Sequence, residues 1–161
     1  MNNTITLATL ADIPDLCGLL DLLFTQEAEF TPDTAAQQRG LTAIIQNPDV
    51  GQILIARQVG NAVGMVSLLY TVSTALGGRV ALLEDMVVTP DTRGQGVGAQ
   101  LLAHAIALAK ANGCLRITLL TDAVNEAAQR FYQRQGFVVS PMLPLRLMLV
   151  TNNEQCVFAG G

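Results

Sequence analysis

Apolar positions recur along the chain with two periods, and the changes of period mark out the elements. Residues 3 to 9 alternate as a short strand does. Past Asp12, whose carboxylate offers a helix cap, Leu16, Leu19, Leu20, Leu23 and Phe24 return at helical spacing. A second helix is expected over about 34 to 46, ahead of Pro48. From residue 51 the runs GQILIARQ, AVGMVSLLYTV and RVALLEDMVV are rich in β-formers and are separated by VGN and ALGG, which predicts an antiparallel meander of three strands. After Pro90 comes RGQGVG, then a helix to about 112 with Val97, Leu101, Leu102, Ala105, Ile106 and Ala109 on one face. CLRITLLT reads as a strand, Asn125 to Gln135 as a helix, and FVVS and LPLRLMLV as two closing strands.

This order, β-α-α-β-β-β-α-β-α-β-β, predicts mixed α and β structure around one sheet. Half of the 161 residues are apolar and no linker or repeat interrupts them, so residues 1–161 are expected to form a single domain. A net charge of −4 with nine Lys plus Arg argues against nucleic acid as a partner. No apolar run is long enough for a membrane helix, and the first residues lack a secretory pattern, so a cytoplasmic protein with no membrane partner is expected. Cys17, Cys114 and Cys156 have no metal-ligand spacing; reduced thiols and no metal are expected.

RGQGVG suits an anion on physical grounds. A helix start presents unpaired N–H groups and partial positive charge, and glycines admit a phosphate to the backbone. A tight turn with no ligand is the plain alternative. Gly94, Gly96 and Ala99 also satisfy the dinucleotide fingerprint, with Asp122 after the next strand, but that fingerprint opens parallel βαβ units and here it follows an antiparallel meander. The P-loop fails because no Lys-Ser or Lys-Thr follows the glycines.

Three segments in order carry a resemblance. RGQGVG resembles the Q/R-x-x-G-x-G/A pyrophosphate loop of the GNAT superfamily of N-acetyltransferases; LLEDMVVTPDTRG is similar to that family's fourth strand running into the loop; NEAAQRFYQRQGF is similar to its N-x-x-A-x-x-F-Y-x-x-x-G-F segment. The resemblance, spanning about residues 3 to 150, implies a GNAT-like central mixed, mostly antiparallel sheet of about seven strands flanked by about four helices. It implies acetyl-CoA as co-substrate and an acyltransferase activity toward a primary amine. On that footing Arg93 and the backbone of Gly94, Gln95, Gly96, Val97, Gly98 and Ala99 hold the pyrophosphate, and the backbone of Met86, Val87 and Val88 meets the pantetheine arm and the acetyl carbonyl.

Glu84 and Asp85 stand adjacent in an otherwise apolar strand. Strict alternation sends Glu84 to the face of Leu82 and Met86 and Asp85 to that of Leu83 and Val87, so at most one views a given cleft. An amine acceptor needs a proton acceptor. Glu84 matches the base of similar enzymes and reads equally as a structurally paired carboxylate; Asp85 reads as structural. Tyr132 is the candidate acid for the departing thiolate, and Asn125, two turns earlier on the same helix face, lies along the cofactor or simply caps the helix. Phe131 falls on the core stripe. His104 reads as a surface residue, and Arg146 as an edge-strand or pocket charge.

The first thirty-three residues hold Asp12, Asp15, Asp21, Glu27, Glu29 and Asp33 and no cation. They read as a solvated acidic face or, if Glu27, Glu29 or Asp33 edges the pocket, as an attraction for a cationic small-molecule amine, with Asp85 a further candidate substrate-binding acid. A protein acceptor, and a non-catalytic acyl-CoA sensor, are the alternatives. Pairing of exposed strand edges would allow a homodimer.

Overall fold

The computed structural model describes residues 2–26 and 32–150. The first strand, β1 (Asn3–Leu7), ends in a 3-10 turn at Leu10–Asp12, where the Asp12 carboxylate accepts from the Thr9 N–H at 2.8 Å. The acid thus reaches back to close the turn, and α1 (Ile13–Gln26) follows. Asp33 caps α2 (Thr34–Ile45) by accepting from the Ala36 N–H at 3.1 Å. The meander is β2 (Gly51–Gln58), β3 (Asn61–Ser73) and β4 (Gly78–Val88). Then come α3 (Val97–Ala111), β5 (Ile117–Leu119) and α4 (Glu126–Arg134).

The strands lie in the order β1-β2-β3-β4-β5, with β1 to β4 antiparallel and β5 parallel to β4. A parallel neighbour requires a crossover, and α3 provides it. Both faces of the sheet are covered, which is why Ile53, Leu54, Ile55 and Ala56 run apolar without alternation. Leu16, Leu19, Leu20 and Leu41 from α1 and α2 pack on Ile53, Ile55, Met65 and Val87. On the other face Val97, Leu101, Leu102, Ala105 and Ala109 of α3 pack on Leu54, Ala56, Val66, Leu68, Ala81 and Leu83. Gly64 permits the close approach of α3, since a β-carbon there would stand 2.8 Å from Leu101 Cδ1. Arg57 on β2 pairs with Asp12 and Asp15, tying the start of α1 to the sheet.

The mixed α and β class and the mostly antiparallel sheet are as expected. The strand count is not: the described residues form five strands rather than about seven. FVVS and LPLRLMLV form no strand; Phe137 is half-buried against the core, but from Val138 on the side chains face solvent, with Val138 88% and Leu145 95% exposed. Arg146 is exposed in this segment and belongs to no strand. A strand exists only with a partner to take its N–H and C=O groups, and residues 138–150 pair with no strand among the described residues.

Candidate active site

A gap opens in the sheet where two strands part. β5 pairs with β4 through Ala81, Leu82 and Leu83, after which β4 continues to Val88 with no strand paired on that side among the described residues. The Thr89 N–H donates to the Val63 carbonyl at 2.8 Å, and Val87 stands opposite Met65. Strand alternation therefore turns the amide of Val88 away from β3 and toward the gap.

A bulge sets which side chains flank this edge. Ser67 is the register partner of Glu84 and Met65 that of Val87, so Asp85 and Met86 together oppose Val66. Asp85 takes the extra position with φ of 52°, a left-handed conformation rare outside glycine. The strict alternation expected of this strand is thereby broken: Leu83, Met86 and Val88 share the α3 face, and Val87 lies with the α1 and α2 core. Glu84, exposed and paired with Ser67, keeps to the α1 and α2 side with Leu82, but Met86 does not join it. The two-residue step was illegible because no glycine marks it.

Beyond the gap the chain turns through Pro90–Thr92 into the glycine loop. Thr92 is buried, and its hydroxyl meets that of Thr89 at 2.8 Å, while Gln58 Nε2 donates to Gln95 Oε1 at 3.0 Å from the neighbouring strand. These contacts anchor the loop. They had no sequence signal, since both depend on residues brought together by the turn. Gly96, with φ of 81°, is the N-cap of α3, a conformation that glycine adopts without a side-chain clash. Gln95 N–H donates to the Thr92 carbonyl, and Gln100 N–H begins the helical ladder. Among the described residues, the amides of Gly94, Gly96, Val97, Gly98 and Ala99 have no such acceptor, and Arg93 is exposed beside them.

Gly98 joins this loop to the gap. A β-carbon on it would sit 3.5 Å from Phe131 Cζ, 3.7 Å from Met86 Cε and 3.7 Å from Val88 Cγ2. Helix α4 thus reaches the β4 edge through Phe131. Tyr132 stands beside it in edge-to-face contact with Phe131 and Phe137, ring centroids 5.2 and 5.8 Å away, and burial raises its hydroxyl pKa above the usual value. The Asn125 side chain accepts from the Ala128 N–H at 3.0 Å and so caps α4. Tyr132 packs with the α3 side of the sheet, whereas Glu84 faces the α1 and α2 side. The two flank the β4 edge from opposite faces and do not meet. His104 is exposed and bonded to its own helix through the Gln100 carbonyl, 2.9 Å away.

The acids of the first helices have structural partners: Asp12 and Asp15 hold Arg57, Asp21 accepts from Gln37 Nε2 at 3.0 Å, and Asp33 caps α2. Glu27 and Glu29 lie outside the described residues.

Residues 16–137 match the sequence profile of the acetyltransferase (GNAT) family. The chain belongs to that family. An aminoalkylphosphonate N-acetyltransferase of Salmonella typhimurium is 32% identical over 130 residues, 81% of each chain. Among solved structures, an integron cassette protein from the mobile metagenome of Cole Harbour Salt Marsh superposes with a TM-score of 0.81 at 27% identity, covering 91% of each chain. A protein of Clostridium acetobutylicum described as a predicted acetyltransferase, and crystallised with acetyl-CoA, superposes with a TM-score of 0.77 over 90% of this chain and 96% of its own, at 18% identity, which speaks for the fold alone. As a GNAT acetyltransferase the protein is an acyltransferase. Among the described residues no helix is long and apolar enough to cross a membrane, and no cluster of His, Cys, Asp and Glu is suited to a metal ion.

Proposed function

We propose that this protein moves the acetyl group of acetyl-CoA onto the primary amine of a small molecule in the cytoplasm, within a single domain. The observation that carries this reading is that the start of α3, whose amides lack a backbone acceptor among the described residues, lies against the part of β4 that runs on past its pairing with β5, with Gly98 between Met86 and Val88 of that strand and Phe131 of α4. Such donors beside a free strand edge fit a long acceptor-rich molecule with a pyrophosphate at one end and a carbonyl at the other. Acetyl-CoA supplies the activated acetyl thioester. Arg93 and the amides of Gly94, Gly96, Val97, Gly98 and Ala99 hold the pyrophosphate, with Gln95 fixing the loop from within. The backbone of Met86 and Val88, with Val87 locking the strand between them, addresses the arm and the carbonyl.

Glu84 accepts the proton of the incoming amine from the α1 and α2 side, and Tyr132 holds a proton on its hydroxyl for the departing sulfur on the opposite side. The burial that raises the Tyr132 pKa keeps that proton in place at neutral pH. Asn125 orients α4 along the cofactor. Asp85, beside Glu84, together with Glu27 and Glu29, favours a cationic acceptor. A small amine is further supported by the Salmonella relative, whose name gives an aminoalkylphosphonate as its substrate.

The deciding measurement is CoA release from acetyl-CoA across amines, aminoglycosides and peptides. Turnover on small amines is expected, and Tyr132→Phe should lower kcat by ~10²–10⁴ with KM little changed. Glu84→Gln should do the same for acceptors with high amine pKa. Acetylation of proteins alone would reverse the substrate assignment, and full turnover in both variants would remove these residues from the chemistry. Absence of thermal stabilisation by acetyl-CoA would reject both the enzyme and an acyl-CoA sensor.

A further inference from the structure

Two apolar rows on the α3 side of the sheet change character at the same place. On β2, Leu54 and Ala56 are buried against α3, and the next residue on that face is Gln58; on β1, Ile5 packs there, and the residue two before it is Asn3. Gln58 and Asn3 are register partners, so the two carboxamides stand side by side across the strands. Arg57, between Ala56 and Gln58, turns the opposite way to Asp12 and Asp15, as alternation requires.

Both side chains reach the start of α3. Gln58 Nε2 donates to Gln95 Oε1 at 3.0 Å and Asn3 Nδ2 to Gln100 Oε1 at 2.7 Å, so the two contacts fall on either side of Gly96, Val97, Gly98 and Ala99. Packing alone does not call for them. Gln58 is 8% exposed at the end of an apolar row, and Asn3 Oδ1 is buried with no hydrogen-bond partner among the described residues, a penalty that an apolar side chain would avoid. The loop does call for them: Gly94 and Gly96, with φ of 80° and 81°, offer no side chain, so Gln95 between them takes the contact to the sheet. Glycine loses more conformational freedom than any other residue when a loop is fixed, and a contact that has already fixed it relieves an incoming ligand of that loss.

We propose that Gln58 and Asn3 are positioning residues for the CoA pyrophosphate: acting through Gln95 and Gln100, the carboxamide pair sets the glycine loop and the first turn of α3 in the conformation that receives it. The proposal rests on the reading of that loop as the cofactor site. Its consequence is that cofactor affinity, rather than turnover at saturation, depends on two residues of the β1 and β2 ends.

Calorimetric titration with CoA and steady-state kinetics in acetyl-CoA test this, together with backbone order parameters of residues 94–96 in the unliganded chain. Gln58→Leu and Asn3→Leu, close in shape to the residues they replace, are each expected to raise the Kd for CoA and the KM for acetyl-CoA by about 3- to 30-fold, with kcat at saturation within about twofold of the original. The order parameters of Gly94, Gln95 and Gly96 should fall in Gln58→Leu. Gln58→Leu/Gln95→Leu should bind CoA no more weakly than the weaker single variant, since both changes break one contact. Tyr70→Phe, which removes the hydroxyl bonded to Gln52 and Asn112 at the far end of α3, should leave the Kd unchanged. Equal CoA affinity in the original and both variants, or a fall in kcat with KM unchanged, would overturn the positioning and leave the cofactor reading standing. An original chain that does not bind CoA would overturn that reading and the proposal with it. Should Gln58→Leu fail to fold, Gln95→Leu breaks the same contact from an exposed position.

Discussion

Gly98→Ala separates the needs of the fold from those of the proposed cofactor site. Gly98 lies in the first turn of α3 and has no positive φ, so alanine fits its backbone. The new methyl would meet Phe131, Met86 and Val88 at 3.5 to 3.7 Å, ordinary van der Waals distances that require no rearrangement. Alanine restricts the unfolded chain and has the better helix propensity, which together favour the fold by about 0.5–1 kcal/mol. In a domain of this size that raises Tm by about 1–4 °C. The same methyl occupies the corner where α3, β4 and α4 meet, and an added methyl in a fitted site costs ~1–3 kcal/mol, or roughly 10- to 200-fold in affinity. Expected, then, is a protein that melts later and binds acetyl-CoA more weakly, read by calorimetric melting and by titration with acetyl-CoA. A raised Tm with unchanged affinity would refute the route of the cofactor past Gly98. A fall in Tm of more than a degree or two would refute the packing geometry.

Two further predictions concern stability. Asp12 is held below the usual carboxylate range, chiefly by the Thr9 N–H and then by Arg57; its contribution is complete above the unfolded value near ~3.9 and is lost as pH falls through the lower folded value. Asp12→Asn should therefore flatten the decline in urea stability between pH 4 and more acid conditions, and an unchanged acid limb would contradict the linkage. Ser67 is 1% exposed, and its hydroxyl has no hydrogen-bond partner among the described residues, so Ser67→Ala should leave urea stability unchanged or raise it by up to ~1 kcal/mol. A clear loss would show that the hydroxyl is bonded, with its register partner Glu84 the acceptor to examine.

The elements that could be read from the chain are those whose signal is local. The α1 and α3 stripes, the three-strand meander with its glycine turns and the α4 segment from Asn125 are decided by residues within a turn or a strand of one another. The glycine loop was legible for the same reason, because RGQGVG joins a strand to a helix start over a few residues. The bulge at Asp85 was not. It depends on Ser67 and Met65 of a different strand fixing the register on either side of it, and an aspartate with φ of 52° has no mark in the sequence.

The closing segment shows the same division most plainly. Alternating leucines from 143 to 149 record that this stretch has one face to bury, and that much belongs to the sequence alone. Which edge receives it is a matter of tertiary structure, because a strand is completed by hydrogen bonds to a neighbour that local pattern cannot name. The sequence likewise determined that Glu84 and Tyr132 bear chemistry suited to proton transfer. Their placement on opposite faces of one free strand edge came only from the parting of β4 and β5 after Leu83 and from the extra residue at Asp85.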